Sequence, residues 1–112
     1  MRLVRLGAAG SESPGVLVDD DTVVDLSDVV GDYDENFFAS GALANLGDVV
    51  ADRVRAGRTE PVAGRRFGAP IARPHQILCI GLNYSDHAAE TGQAVPTEPI
   101  LFTKSPNTLI GP

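Results

Sequence analysis

At 112 residues the chain is long enough for one domain with a modest core and too short for two complete ones. Hydrophobic content of 43% and charged content of 21% are those of an ordinary globular protein. A formal charge of −6, with the nine basic residues scattered, argues against a nucleic-acid partner, because phosphate binding relies on clustered Lys and Arg. With no Trp and 5% aromatics, the core is built mainly from Val, Leu, Ile and Ala. The single cysteine, Cys79, has no internal disulfide partner, and no signal-like segment opens the chain. Both point to a reducing compartment, the cytoplasm. The longest apolar run, "ILCIGL", is far short of the roughly 20 residues that span a bilayer, so no membrane segment is expected.

In chain order, "MRLVRL" alternates Leu3 and Arg5 against Val4 and Leu6 and predicts an opening strand. "SPGVLVDDDTVVDL" predicts a hairpin whose turn is Asp19-Asp20-Asp21, three carboxylates facing water rather than holding a cation. Ser27 is a plausible N-cap for a short helical turn, with a second turn near Glu35 to Ala39. "ALANLGDVVADRVRAG" predicts a helix with a core stripe of Leu43, Leu46, Val50 and Val54. Arg53, Arg55 and Arg58 favour its carboxyl end, and Gly57 stops it. "TEPVAGRRFGAPIARPHQ" is rich in Pro, Gly and Arg and predicts an irregular connector with one short strand, the best candidate for a linker; His75 lies in it and is expected to be exposed. "QILCIGL" and "ILFTK" predict apolar strands of the kind buried on both faces, with a helix in "YSDHAAET" between them.

The chemistry gathers after the first of these strands. The strand is expected to break at Gly81 and deliver Asn83, Tyr84 and then His87 and Glu90 from its carboxyl end. At i and i+3 on a helix, His87 and Glu90 share a face. A carboxylate so placed orients the imidazole and stabilises the imidazolium formed on proton uptake, which suits a general base. Spacing alone is weak: with two His and 15 acids in the chain, such a match arises by chance about one time in four. On spacing alone, a surface ion pair is the better explanation. Lys104, ending the next apolar strand, reads either as an anion-binding group beside the site or as an edge lysine in solvent. Cys79, inside "ILCIG", is expected to be a small buried hydrophobe, since nothing is placed to activate it.

From Ile77 to Pro112 the sequence "ILCIGLNYSDHAAETG…VPTEPILFTKSPNTLIGP" resembles the fumarylacetoacetate hydrolase family. The shared features are Gly-x-Asn-Tyr, Asp-His with an acid three residues on, and Pro-x-x-Pro-x-x-Phe-x-Lys in that order. The nearest flavour is the group of ureidoglycolate lyases and diketo-deoxy sugar-acid hydrolases. The resemblance covers about a third of the chain.

The resemblance implies an α+β architecture. Residues 1–70 would form a small N-terminal domain of strands and helix ending in the connector. Residues 71–112 would begin a mainly-β catalytic domain. It implies that His87 and Glu90 activate water, that Asn83 and Tyr84 line the approach, and that Lys104 lies near a small anionic keto-acid substrate. It further implies Mg²⁺ or Mn²⁺ held by three carboxylates and a homodimeric full-length protein. No acid of this chain stands where those carboxylates fall in the family pattern. The chain is therefore expected to be the N-terminal portion of a longer hydrolase or lyase and inactive by itself. The competing expectation is a non-catalytic remnant or protein-interaction module.

Overall fold

The computed structural model describes every residue from Met1 to Pro112. The chain divides into a first unit, Met1–Pro74 with Leu109–Pro112, and a second unit, His75–Thr108. Both mix strands with helix, so the α+β class holds. No helix is long and apolar enough to cross a membrane.

The first unit is built on an antiparallel meander of β1 (Arg2–Leu6), β2 (Ser13–Leu17), β3 (Thr22–Asp25) and β4 (Glu60–Pro61), paired in sequence order. The three-aspartate turn joins β2 to β3 as expected: the Asp21 amide donates to Asp19 Oδ1 at 2.9 Å, and Val18 to the Thr22 carbonyl at 3.0 Å. Val16 lies opposite Leu3 on one side and Val24 on the other, so these three share a face. Alternation sends Val4, Leu6 and Val23 to the opposite face. Gly15 sits between the strands where a Cβ would lie 2.9 Å from Val23 Cγ2, so no larger residue fits without a shift.

Each face has its own cover. Val16, Val24 and Leu26 pack against Val30, Tyr33, Phe37 and Leu46, the last two from helices α1 (Glu35–Ala39) and α2 (Leu46–Arg55). Val4, Leu6 and Val23 pack against Val62 and Phe67. The second cover comes from the Pro/Gly/Arg-rich stretch, which is stitched to the sheet along its length. Val62 donates to the Asp21 carbonyl at 2.9 Å, Gly68 to Arg5 at 2.8 Å and Ala72 to Tyr33 at 2.9 Å; Gly7 donates to Arg66 at 3.0 Å.

Several local expectations are corrected. Ser27 caps no helix; its amide and hydroxyl both donate to Asp25 Oδ1, at 2.8 and 2.6 Å, and close a turn. Asp34 is the N-cap of α1, accepting from the Phe37 amide at 3.1 Å. Along α2, Leu46 is buried and Val50 half-buried, but Leu43 and Val54 are exposed. Leu43 falls in the preceding 3₁₀ turn, Ala42–Asn45, whose tighter winding rotates it off the stripe. In the last turn the buried residue is Arg53, which donates to the Asp25 carbonyl at 2.6 Å and to both Asp28 oxygens at 2.7 and 2.9 Å. It ties the helix to the end of β3 instead of simply complementing the helix dipole.

Every buried side-chain nitrogen and oxygen has a hydrogen-bond partner. The Tyr33 hydroxyl donates to the Gly15 carbonyl at 2.7 Å, and burial pushes its phenol well above the ordinary value of 10. Arg5 grips Asp32 through Nε and a terminal nitrogen, at 2.6 and 2.9 Å, and also donates to the Ala69 carbonyl at 3.2 Å. Glu12 lies 3.5 Å from Arg5 and 2.8 Å from Arg66.

In the second unit, β5 (Ile77–Gly81) and β6 (Ile100–Lys104) form an antiparallel pair, with helix α3 (Ser85–Glu90) between them in sequence. Here the structure corrects the expectation of burial on both faces. Leu78 and Leu101 are 61% and 64% exposed, Ile80 and Phe102 are also exposed, and Cys79 is only half-buried. Each strand has one neighbour, and along β5 the half-buried Ile77, Cys79 and Gly81 alternate with the exposed Leu78 and Ile80.

The acid side of stability follows from the carboxylates of the first unit. The Arg66 hydrogen bond holds Glu12 below its ordinary 4.5, and the Arg53 hydrogen bond holds Asp28 below 3.8. A depressed carboxylate contributes stability that is complete above its unfolded pKa and lost as pH falls through the folded one. Denaturant midpoints of the full-length protein should therefore be flat above about pH 5 and fall below about pH 4.5, less steeply in Glu12→Gln. Equal slopes in the two proteins would contradict the role given to Glu12.

Candidate active site

The segment from strand to helix is fixed at three points. Gly81 stays in β5, opposite Ile100, so the strand does not break at the glycine. It breaks at Leu82, whose φ of 47° is left-handed, a conformation that costs a non-glycine residue about 1–2 kcal/mol. Tyr84 returns to extended backbone, φ −119° and ψ 134°, and precedes α3 without a side-chain cap. Within the first turn Asp86 Oδ1 accepts from the His87 amide at 2.9 Å.

The far end of α3 closes tightly. Gly92 takes φ 66° and its amide donates to the Ala89 carbonyl at 3.1 Å, while Gln93 donates to Ala88 at 2.9 Å. This is a Schellman closure, which needs a residue tolerant of left-handed backbone. The Thr91 hydroxyl adds bonds to the carbonyls of His87 and Ala88, at 2.9 and 3.1 Å. A six-residue helix has little intrinsic stability, so these bonds hold the register that puts His87 beside Glu90.

His87 Nδ1 lies 3.8 Å from Glu90 Oε2, and both side chains face solvent. In that arrangement the carboxylate faces Nδ1, leaving Nε2 as the nitrogen able to take a proton from a bound water. In water the pair contributes only about 0.2–0.5 kcal/mol to the helix. Asn83 lines an open hollow of about 320 Å³ with Leu82, Val95, Pro96 and Glu98, and Tyr84 is 68% exposed.

The predicted site residues are not all drawn together. His87 and Glu90 meet, and Asn83 and Tyr84 stand between them and the strand. Lys104 is opposite Ile77, four residue pairs from Gly81 and Ile100, which places it about 13 Å along the hairpin from the strand end. No hydrogen bond or ion pair joins it to the His-Glu pair. Sequence reasoning did not single out Leu82, Thr91 or Glu98. A Thr-Gly step after a helical run is a readable stop signal for Thr91. Leu82 carries no such signal, because its glycine neighbour draws the break one residue early. No group of three or more His, Cys, Asp or Glu side chains gathers in a metal-holding arrangement. The residues of this chain therefore do not fit a divalent-metal site.

No family model matches the chain. All 112 residues align with relatives designated "Putative hydrolase" in several Burkholderia. Identity is 39% to the protein of B. ambifaria strain MC40-6, and 38% to those of B. lata and B. multivorans. The chain spans 38% of the length of each. The similarity runs the whole length of the chain.

Proposed function

We propose that this chain is the N-terminal portion of a divalent-metal-dependent hydrolase or lyase of the fumarylacetoacetate hydrolase type, acting on small keto- or diketo-acids. The observation that carries the reading is the pairing of His87 with Glu90 on a short, doubly closed helix directly after a strand. The hydrolase names of the relatives support the same class. The reaction is C–C bond hydrolysis of a diketo acid, with ureidoglycolate cleavage as the other substrate class.

In the hydrolytic step, His87 Nε2 takes a proton from water as the oxygen attacks the substrate carbonyl carbon. Glu90 stabilises the imidazolium that results. The C–C bond then breaks, its electrons leave with the second acyl fragment as an enolate, and the enolate is protonated. Asn83 and Tyr84 offer hydrogen bonds to the substrate's oxygens. A bound Mg²⁺ or Mn²⁺ would supply carbonyl polarisation. Its ligands would come from outside these 112 residues. A homodimeric, cytoplasmic full-length protein belongs to the same proposal.

A second reading, a non-catalytic interaction module, is favoured by one observation: the exposed apolar side chains of β5 and β6. A Mg²⁺-dependent screen of the full-length protein against acylpyruvates, oxaloacetate and ureidoglycolate separates the two. Turnover supports the enzyme, and none with any of them supports the module.

His87→Ala in the full-length protein should lower kcat by about 10²–10⁴-fold, the usual contribution of a general base. Retained turnover would remove His87 from the mechanism. The 112-residue chain alone should show no turnover. Glu90→Ala should leave the denaturation free energy within about 0.5 kcal/mol of the unaltered protein while lowering kcat, because an exposed pair contributes little to folding. A large stability loss would make the pair structural.

A further inference from the structure

We infer that Leu82 is a positioning residue, whose left-handed backbone sets the direction in which α3 carries His87 and Glu90 away from β5. This deepens the function proposed above and rests on it. Only two residues other than glycine have positive φ, Arg73 at 45° and Leu82 at 47°. Arg73 belongs to the turn before Pro74. Leu82 stands between the last residue of a strand and the two residues that lead into the His-Glu helix.

The position of the strain is informative. Glycine adopts left-handed backbone freely, and a glycine is the immediate neighbour. Yet Gly81 remains in the ladder opposite Ile100, where a Cβ would make only ordinary contact with the Ile100 side chain, at 3.4 Å. Packing therefore does not require glycine at 81, and the reversal falls one residue later, on a side chain that disfavours it. Tyr84 is extended again, and Leu82 is the one residue between strand and helix with left-handed backbone.

Strained backbone persists where surrounding structure over-determines it and clusters where geometry matters for function. The other end of α3 is fixed by Thr91 and the Gly92 closure, so the helix moves as one piece about this residue. His87 lies five positions further on. A change of φ at 82 would displace its imidazole by more than the 1 Å that can cost about 10²-fold in rate.

The test is a series at position 82 in the full-length protein, assayed for Mg²⁺-dependent hydrolysis of acylpyruvate with His87→Ala alongside. Residues are ranked by tolerance of left-handed backbone: Gly and Asn accept it, Ala less, and β-branched Val least. Leu82→Asn and Leu82→Gly should keep kcat within about 3-fold. Leu82→Ala, with the same Cβ as leucine, should also stay within about 3-fold, and Leu82→Val should lose about 10²-fold, with KM within about 3-fold throughout. A leucine acting by apolar contact predicts the reverse order, with Val best and Asn and Gly worst; that order, or a flat series, overturns the proposal. Substrate-free thermal midpoints should rank Asn above Leu and Leu above Val, and Val at or above Asn also overturns it. If Leu82→Val fails to fold, the ratio of Asn to Thr turnover decides, with at least about 5-fold expected because Thr is also β-branched. A flat series beside an inactive His87→Ala refutes the positioning role alone. A fully active His87→Ala, or no turnover in the unaltered protein, refutes the function as well.

Discussion

The first unit depends on the pairing of Arg5 with Asp32. Arg5 sits on β1, on the face shared with Leu3, where apolar side chains from the helices cover the sheet. A guanidinium there has little water to solvate it, with its side chain only 11% exposed. It is tolerated because Asp32 meets it with both oxygens, in the fork geometry for which arginine is suited. Removing Arg5 would leave Asp32 without its partner, a loss that for a buried pair costs about 3–5 kcal/mol, whereas removing Asp32 would leave Arg5 with Glu12 at 3.5 Å. Replacing the whole pair by apolar residues would be far milder, so the pair specifies more than it stabilises. It fixes where the chain enters Tyr33, and Tyr33 in turn carries the bonds to Gly15 and Ala72. Through the Ala69 carbonyl the same arginine anchors the Pro/Gly/Arg-rich stretch.

Local pattern was legible wherever neighbouring residues decide the outcome. The alternation of "MRLVRL", the aspartate turn and the helix through Leu46 and Val50 follow from periodicity and turn chemistry alone. Choices that depend on distant partners were not legible. Arg53 is charged and lies in a last helical turn, so its burial follows only from the Asp25 carbonyl and Asp28 carboxylate waiting across the fold. Glu12, Asp32 and Arg66 look like surface residues until the folded chain brings them around Arg5. The connector reads as loose because Pro, Gly and Arg lack periodicity, whereas Val62 and Phe67 within it complete a core.

The candidate site divides the same way. His87 and Glu90 are related by helical spacing, which sequence reports well, and the helix forms where expected. Lys104 is related to them through strand register. An antiparallel register reverses the intuition that the ends of successive strands lie together. The exposed apolar residues of β5 and β6 show the same limit: the sequence reports that they suit burial, and cover depends on what packs against them. The left-handed turn at Leu82 is a backbone property beside a misleading glycine. The pair able to move a proton, the turn that aims it and the closure that holds it all lie within residues 81–93.

If His87 deprotonates the attacking water, the oxygen of that water becomes part of the product. The direct measurement is Mg²⁺-dependent turnover of acylpyruvate by the full-length protein in ¹⁸O-labelled water, with products read by mass spectrometry. One ¹⁸O atom is expected in the newly formed carboxylate, with no label entering that group in the His87→Ala protein over the same time. Cleavage that leaves the new carboxylate unlabelled, or labelling unchanged by loss of the imidazole, would contradict that role of His87.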